Sequence, residues 1–335
     1  MVQESGSREQ TGDAAAQSKV PEVKICDVTL RDGMQVLNRN ALIPVRMRLR
    51  LAETLLRARL PYLEVGSFVN PQIVSAMQDT PELFASLRPA AGQQLAALVP
   101  KLKYYDQLKL TPNVDTVALF ISASESYSLV NTRMSRAEAM KSAREVAAAA
   151  RSAGYRVRAY LSYAFREMAS ALGEMPLATI EELCGELLGM GCEIVALSDT
   201  DGRATPADVE RVVRHVGETL GLEQMGVHLH DLHGLGLVNS LLAYQLGIRV
   251  FDASIGGLGG NKIVENSVGN VATEELVNMF HGMGVETGID FGFLLRAGRI
   301  VVDMANYVGD PAPPSRILAD QVVGLGEARR RIEMV

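Results

Sequence analysis

The chain has 335 residues, of which 47% are hydrophobic, and it carries a formal net charge of −6 at pH 7. This acidic balance, without a large basic block, argues against nucleic acid or an anionic membrane surface as the main partner. Three cysteines without CxxC spacing (Cys26, Cys184 and Cys192) are typical of a reducing compartment, and we expect them to be buried. No apolar run approaches the about 18 residues needed to span a bilayer. We therefore expect a globular cytoplasmic protein.

Short β-rich runs alternate with helical patterns from Val23 onward. The preceding segment, 1–20, is polar and rich in small residues, which predicts a flexible N-terminal tail. The predicted strands, in chain order, are VKICDV, YLEVGSF, QLAALVP, VDTVALFIS, YRVRAYLSY, EIVALSD, MGVHLHD and RVFDASI. Each is followed by a helical pattern, for example the helix that Thr205 and Pro206 begin as N-cap and first residue.

About eight strand-then-helix units with short connections imply parallel pairing and predict an α/β protein with a closed (β/α)₈ TIM barrel. We assign the barrel to 21–288 and a C-terminal helical extension to 289–335. A doubly wound open sheet is the alternative, but its nucleotide fingerprint is missing. The glycine-rich stretch GGLGGNK at 256–262 matches neither GxGxxG nor GxxxxGK[ST].

Polar residues at the carboxyl ends of barrel strands converge on one mouth, where active sites of this fold lie. The predicted strand ends carry Arg31, Asp32, Glu64, Ser122, Ser162, Asp199, His228 and His230. His228 and His230 are two apart on a predicted strand and therefore face the same side. With Asp32 they would form a mixed nitrogen and oxygen site for a divalent cation; the alternative is a pair of hydrogen-bonded histidines without metal.

The other polar residues at this mouth are candidates for acid–base chemistry and for substrate contacts. Arg31 beside Asp32 is a fixed cation suited to developing negative charge, or else one half of a structural ion pair. Asp199 and Glu64 are candidate general bases, or groups that orient a neighbour. His233 lies one turn beyond the histidine pair and titrates near neutrality. The hydroxyls at the ends of the fourth and fifth strands are candidate substrate contacts.

Three motifs carry a resemblance to a known family: VTLRDGMQ (28–35), HLHDLHGLGLVNS (228–240) and GGLGG with GNVATEEL (256–276). Together they resemble the metal-dependent TIM-barrel carbon–carbon lyases and synthases, and in particular the hydroxymethylglutaryl-CoA lyase branch. The resemblance runs from about Val23 to Gly309. It implies retro-Claisen or retro-aldol cleavage, through an enolate, of a 3-hydroxyacyl thioester such as hydroxymethylglutaryl-CoA or of a related hydroxy acid. A small-molecule substrate, in the form of an acyl-CoA, would then be the main partner.

The resemblance also implies roles for individual residues. The metal ligands would be Asp32, His228, His230 and Asn270. Arg31 would neutralise the enolate oxygen, while Gln35, Glu64 and Asp199 would line the substrate. Mg²⁺ or Mn²⁺ fits this donor set, although imidazole also suits Zn²⁺ and Co²⁺.

One position departs from the family pattern. The lyases carry a cysteine directly after GGLGG, on the loop that closes over the substrate, whereas this chain has Asn261 there. Proton transfer would then pass to His233, to Asp199 or to a metal-bound water. The alternatives are a bond-forming synthase, a 4-hydroxy-2-oxo acid aldolase or a weakly active paralogue and, in a different class, a non-catalytic metal-binding protein. The extension beyond the barrel favours a homodimer.

Overall fold

A computed structural model of the chain describes residues 22–37, 42–168, 173–260, 268–309 and 315–319. Its eight strands are β1 (Lys24–Asp27), β2 (Tyr62–Ser67), β3 (Gln94–Leu98), β4 (Thr116–Ser122), β5 (Arg156–Ser162), β6 (Ile194–Ser198), β7 (Met225–His228) and β8 (Val250–Ala253). All neighbouring pairs are parallel, and the barrel closes because β8 pairs with β1. The predicted (β/α)₈ barrel is confirmed, while the predicted tail at 1–20 lies outside the described residues.

Helices surround the barrel. They are α1 (Met34–Leu37), α2 (Val45–Arg57), α3 (Thr80–Ser86), α4 (Tyr105–Lys109), α5 (Glu125–Thr132), α6 (Arg136–Ser152), α7 (Leu177–Gly189), α8 (Pro206–Thr219), α9 (Leu235–Leu246), α10 (Thr273–Gly282) and α11 (Phe291–Val308). Two long helices begin where their sequences predict. The Ser135 hydroxyl accepts from the Glu138 N–H at the start of α6, and the Thr205 hydroxyl accepts from the Asp208 N–H at the start of α8. Both are capping boxes, which satisfy amide groups that the first helical turn leaves unpaired.

The interior of the barrel contains charged groups as well as aliphatic side chains. On β5, the buried Arg158 forms an ion pair with Asp252 of β8. Its guanidinium lies 4.8 Å from the ring centre of Tyr62 and 5.1 Å from that of Tyr160. Stacking on aromatic faces and pairing with a carboxylate offset part of the hydration that the arginine loses, while its Nε and Nη1 atoms have no hydrogen-bond partner among the described residues. Asp252 also contacts His228, the last residue of β7, so this ion pair lies beside the carboxyl end of that strand.

The C-terminal part contributes helices, as predicted. Helix α11 packs against α2 and α10, so it completes the outer ring of helices next to the first crossover. Beyond it, residues 315–319 lie against the start of α10. None of the described helices is both long and apolar enough to cross a membrane.

The three cysteines are buried, as expected from the sequence. Burial raises the pKa of each of these thiols to about 12. They therefore act as small apolar side chains and supply no thiolate near neutral pH.

Candidate metal centre and active site

Three side chains at the mouth of the barrel bring ligand atoms together. Asp32 lies on the helical turn Thr29–Gly33 that follows β1, His228 is the last residue of β7, and His230 lies two residues further on. Their ligand atoms all lie within 4.8 Å of one another. The chain therefore forms the cluster that its sequence predicts.

The strand that was predicted to carry both histidines is shorter than expected. β7 ends at His228, and His230 instead forms an isolated antiparallel bridge with Asn270. The two imidazole ring centres are nevertheless 5.4 Å apart. The two rings therefore lie side by side, although only His228 belongs to β7 and His230 pairs with Asn270 instead.

Each imidazole is held through its Nδ1 atom. The Nδ1 of His228 lies 3.1 Å from Asp252 Oδ2, and the Nδ1 of His230 lies 2.9 Å from the carbonyl oxygen of Val268. These partners fix the tautomer and leave the Nε2 of each ring as the free ligand atom. Burial and the neighbouring His228 lower the pKa of His230 to about 4. His230 is therefore neutral at physiological pH, as a metal ligand must be.

Asn270 adds a fourth donor beside this cluster. Its Nδ2 donates to Asp32 Oδ2 and to the carbonyl oxygen of Leu258, each at 2.8 Å. Its Oδ1 is buried and has no hydrogen-bond partner among the described residues. A buried amide oxygen without a partner is unfavourable unless something binds it. Gly259 lies so close that a Cβ there would be 2.2 Å from Asn270 Nδ2.

Arg31 lies between two carboxylates. Its Nη1 is 2.6 Å from Asp32 Oδ1 and its Nε is 2.6 Å from Glu64 Oε2, which also accepts from the Tyr160 hydroxyl at 3.0 Å. The Arg31 guanidinium also lies 5.0 Å from the ring centre of Tyr160. Burial alone would raise the pKa of Asp32, but Arg31 and the two imidazoles outweigh it and hold this pKa below its usual value. Asp32 is therefore a carboxylate at neutral pH.

The environments of Glu64 and Asp199 differ from that of Asp32. Burial raises the pKa of Glu64, although Arg31 opposes this shift, and Glu64 Oε1 has no partner within the described part of the chain. Asp199 follows β6 and accepts from the Ala204 N–H at 3.1 and 3.2 Å. Burial, together with the neighbouring Asp201, raises the pKa of Asp199 to about 8. Asp199 can therefore hold a proton near neutral pH.

Of the remaining predicted site residues, those that the structure describes make no hydrogen bond to the ligand cluster. Ser122 and Ser162 are buried at the ends of β4 and β5, and the Ser122 hydroxyl donates to the Ser124 carbonyl oxygen in a local turn. Gln35 is half-buried on α1 and exposed His233 lies on the turn after β7; neither side chain bonds to another described residue. Asn261 lies outside the described residues.

The structure adds functional candidates to which sequence reasoning gave no role. Asp252 holds His228, Arg158 holds Asp252, and Tyr160 contacts both Arg31 and Glu64. Alternation along β5 could have found two of them, because Arg158 and Tyr160 are two apart and share the inward face. Their partners come from strands distant in sequence, so the pairings themselves carry no local signal.

Comparisons with known proteins agree with this geometry. The HMGL-like family model matches residues 22–301. A Bos taurus relative named mitochondrial hydroxymethylglutaryl-CoA lyase is 34% identical over 285 residues, which cover 85% of this chain and 86% of that protein.

Two solved structures share the fold. That of hydroxymethylglutaryl-CoA lyase from Pseudomonas aeruginosa has a TM-score of 0.83 and 33% identity, covering 91% of this chain and 98% of its own. That of an HMG-CoA lyase from Acinetobacter baumannii, in complex with coenzyme A and 3-methylmalate, has a TM-score of 0.80 and 29% identity, covering 88% of this chain and 93% of its own. The chain therefore belongs to the HMGL-like family, and it is a carbon–carbon lyase that resembles hydroxymethylglutaryl-CoA lyases.

Proposed function

We propose that the chain binds a divalent cation through Asp32, His228, His230 and Asn270 and cleaves a 3-hydroxyacyl-CoA thioester of the hydroxymethylglutaryl-CoA class. One observation carries the metal proposal. The buried Oδ1 of Asn270 has no partner among the described residues and belongs to a side chain bonded to Asp32, which is itself in the ligand cluster.

The donor set fits such an ion. One carboxylate, two imidazoles and one amide oxygen would leave positions open for substrate on Mg²⁺ or Mn²⁺, which commonly take six ligands. Zn²⁺ and Co²⁺ also bind imidazole, so the identity of the bound cation depends on the availability of each metal in the cell as well as on its affinity for the site. When bound, the cation supplies Lewis-acid polarisation of the substrate oxygens.

Arg31 is the residue that we assign to charge stabilisation. Removal of the proton from the 3-hydroxyl group allows the adjacent carbon–carbon bond to break, and its electron pair leaves on the thioester fragment as an enolate. Arg31 keeps its proton because Glu64 and Asp32 raise its pKa against the effect of burial. A fixed cation that needs no reorganisation lowers the energy of the developing enolate oxygen.

Proton transfer is assigned to Asp199 in preference to Glu64 and His233. The Oε2 atom of Glu64 binds Arg31 and Tyr160, so Glu64 already serves to hold the arginine. His233 is exposed and makes no hydrogen bond to the ligand cluster within the described part of the chain. Asp199 is buried, and its backbone N–H donates to the backbone carbonyl oxygen of His228 at 2.9 Å, which places the residue next to the end of β7. Its raised pKa suits a group that both accepts and returns a proton near neutrality.

The decisive experiment supplies a panel of substrates with Mg²⁺ or Mn²⁺ and identifies the products by mass spectrometry. The panel holds hydroxymethylglutaryl-CoA, further 3-hydroxyacyl-CoA thioesters and 4-hydroxy-2-oxo acids. We expect acetyl-CoA and acetoacetate from hydroxymethylglutaryl-CoA, and no products after treatment with EDTA. If only the 4-hydroxy-2-oxo acids react and they release pyruvate, the chain is an aldolase instead. If no substrate of the panel gives a product, the proposed cleavage is wrong.

Assembly and location stay predictions. We propose a homodimer, which light scattering on the purified chain tests directly. We propose the cytoplasm as the compartment, which imaging of the tagged full-length protein tests.

A further inference from the structure

Residues 315–319 contact the first turn of α10. The Ser315 hydroxyl donates to Glu274 Oε1, and the Arg316 N–H donates to Glu275 Oε1 at 2.6 Å. Leu318 is 1% exposed. Its side chain packs closely against Gly298 of α11, where an added Cβ would lie 2.2 Å from the Leu318 Cδ2 atom. We call residues 315–319 the strap.

The carboxylate of Glu274 also binds the start of the glycine-rich loop. Both of its oxygens accept from the Gly256 N–H, each at 3.1 Å, and the side chain is fully buried. One carboxylate therefore holds the strap and the loop together. A buried carboxylate requires several donors, and among the described residues Ser315 is the only side chain that supplies one.

Two residues after Gly256, this loop meets the candidate metal ligands. The Leu258 carbonyl oxygen accepts from Asn270 Nδ2 at 2.8 Å. This bond and the one to Asp32 Oδ2 occupy both amide protons, and they leave the Asn270 Oδ1 as the free atom. Leu258 and Asp32 together thus fix which way the Asn270 amide points.

The strap reaches a second loop beside the ligands. Arg316 Nη2 lies 3.3 Å from Asp231 Oδ2. Asp231 follows His230, and its N–H donates to the carbonyl oxygen of Gly269 at 2.9 Å. Because the Arg316 side chain is 71% exposed, this ion pair contributes little to holding the strap in place. The partly buried hydrogen bond from Ser315 to Glu274 contributes more.

We propose that Ser315 and Leu318 are positioning residues that act through Glu274 and the glycine-rich loop to orient the Asn270 amide toward the cation. The inference rests on the proposed function, since it assigns the strap a role at the same metal centre. It adds that a segment outside the barrel sets the affinity of the centre for metal.

Hydrogen exchange of the metal-free full chain tests the contact itself. Ser315→Ala removes one donor to the Glu274 carboxylate, so the Gly256 amide should exchange about tenfold faster. Ser315→Thr keeps the hydroxyl and should restore the slow rate. Ser152→Ala, at an exposed position of α6, is the control and should change nothing. An unchanged rate in Ser315→Ala would overturn the proposal even if the protein bound no metal.

Titration with Mn²⁺, monitored by electron paramagnetic resonance, tests whether the strap positions Asn270 for metal binding. We expect Ser315→Ala and Leu318→Ala to weaken Mn²⁺ binding about tenfold, as loss of support around a metal ligand does, and Ser315→Thr to bind as the parent does. If exchange accelerates while Mn²⁺ affinity stays unchanged, the strap is structural only and the positioning role is wrong. If the parent chain itself binds no Mn²⁺, the proposed function fails and this role fails with it.

Discussion

Asn270 illustrates how much of this site depends on one side chain. Its Nδ2 holds Asp32 and the loop at Leu258, while its Oδ1 stays free. Asn270 therefore both orients a ligand and is a candidate ligand itself. An aspartate at this position would place a second carboxylate against Asp32, where the two charges would repel each other.

Removal of a single candidate ligand should abolish metal retention. Asp32→Ala deletes the carboxylate of the ligand cluster, and His230→Ala deletes one of its imidazoles. We expect each purified variant to hold less than about a tenth of the parent's bound metal in elemental analysis. Asp106→Ala, at an exposed position of α4, is the matched control. Unchanged metal content in both variants would contradict the assignment.

Proton transfer can be assigned by comparing two substitutions that spare the ligands. Asp199→Asn keeps the size of the side chain but removes its titratable group, and turnover should fall about a hundredfold. His233→Asn should leave turnover within about threefold of the parent, because exposed His233 makes no contact with the cluster among the described residues. Steady-state kinetics at saturating metal give both numbers. A large loss in His233→Asn would make it the acid in place of Asp199.

At the scale of single elements, the strands and long helices could be predicted because their signals are local. The predicted run MGVHLHD, for example, contains β7, and Thr205 caps α8 as expected. The end of β7 at His228 could not be predicted. Beyond that end, His230 forms a bridge with Asn270, which lies 40 residues away in the printed sequence. Strand periodicity contains no information about such a partner.

The candidate site was predictable to a similar extent. Arg31 and Asp32 follow β1 and His228 ends β7, and strand ends meet in any closed barrel, so the convergence of these residues follows from the fold. Tyr160 owes its role to Glu64 on β2, and Asp252 owes its role to His228 on the neighbouring β7 and to Arg158 on β5; these pairings appear only when side chains are placed. Asp199 was predicted as a base, but its raised pKa results from burial, which the sequence does not give.

The glycine-rich loop should tolerate no side chain where it passes the ligands. At Gly259, which has a φ of 123°, a Cβ would lie 2.2 Å from Asn270 Nδ2 and 2.8 Å from Asp32 Oδ2. Gly259→Ala should therefore lower Mn²⁺ affinity at least about tenfold, measured by calorimetric titration. Gly282→Ala, at the end of α10, has no atom within 4 Å of the new methyl group and serves as the control. Equal affinities in the two variants would mean that the loop is free to move away.

For the whole molecule, one buried carboxyl couples stability to pH. Asp27 ends β1 and accepts from the Thr29 N–H and from the Thr273 hydroxyl of α10. Burial raises the pKa of Asp27 to about 6, above its value in the unfolded chain. The folded protein therefore keeps a proton that the unfolded chain has lost. This stabilisation is complete below about pH 4 and disappears as the pH rises through about 6.

Asp27→Asn should remove this dependence. Between pH 5 and pH 7 the Asp27 carboxyl should lower the free energy of unfolding of the parent by about 1 kcal/mol, and the variant should lack that part of the slope. Urea unfolding in EDTA at both pH values gives the difference. Asp303→Asn, at an exposed position of α11, should keep the slope of the parent. The same slope in Asp27→Asn would mean that other groups cause it.

The hydrogen bonds that hold the candidate ligands come from the protein itself: Asp252 orients His228, the Val268 carbonyl oxygen orients His230, and Arg31 and Asn270 orient Asp32. Such a centre needs little reorganisation to take up an ion, so loading should be reversible without refolding. Each ion would then stabilise the fold by mass action alone, by about 2.7 kcal/mol at a hundred times its Kd. The melting temperature, titrated against different cations, would consequently rank them by affinity without any substrate.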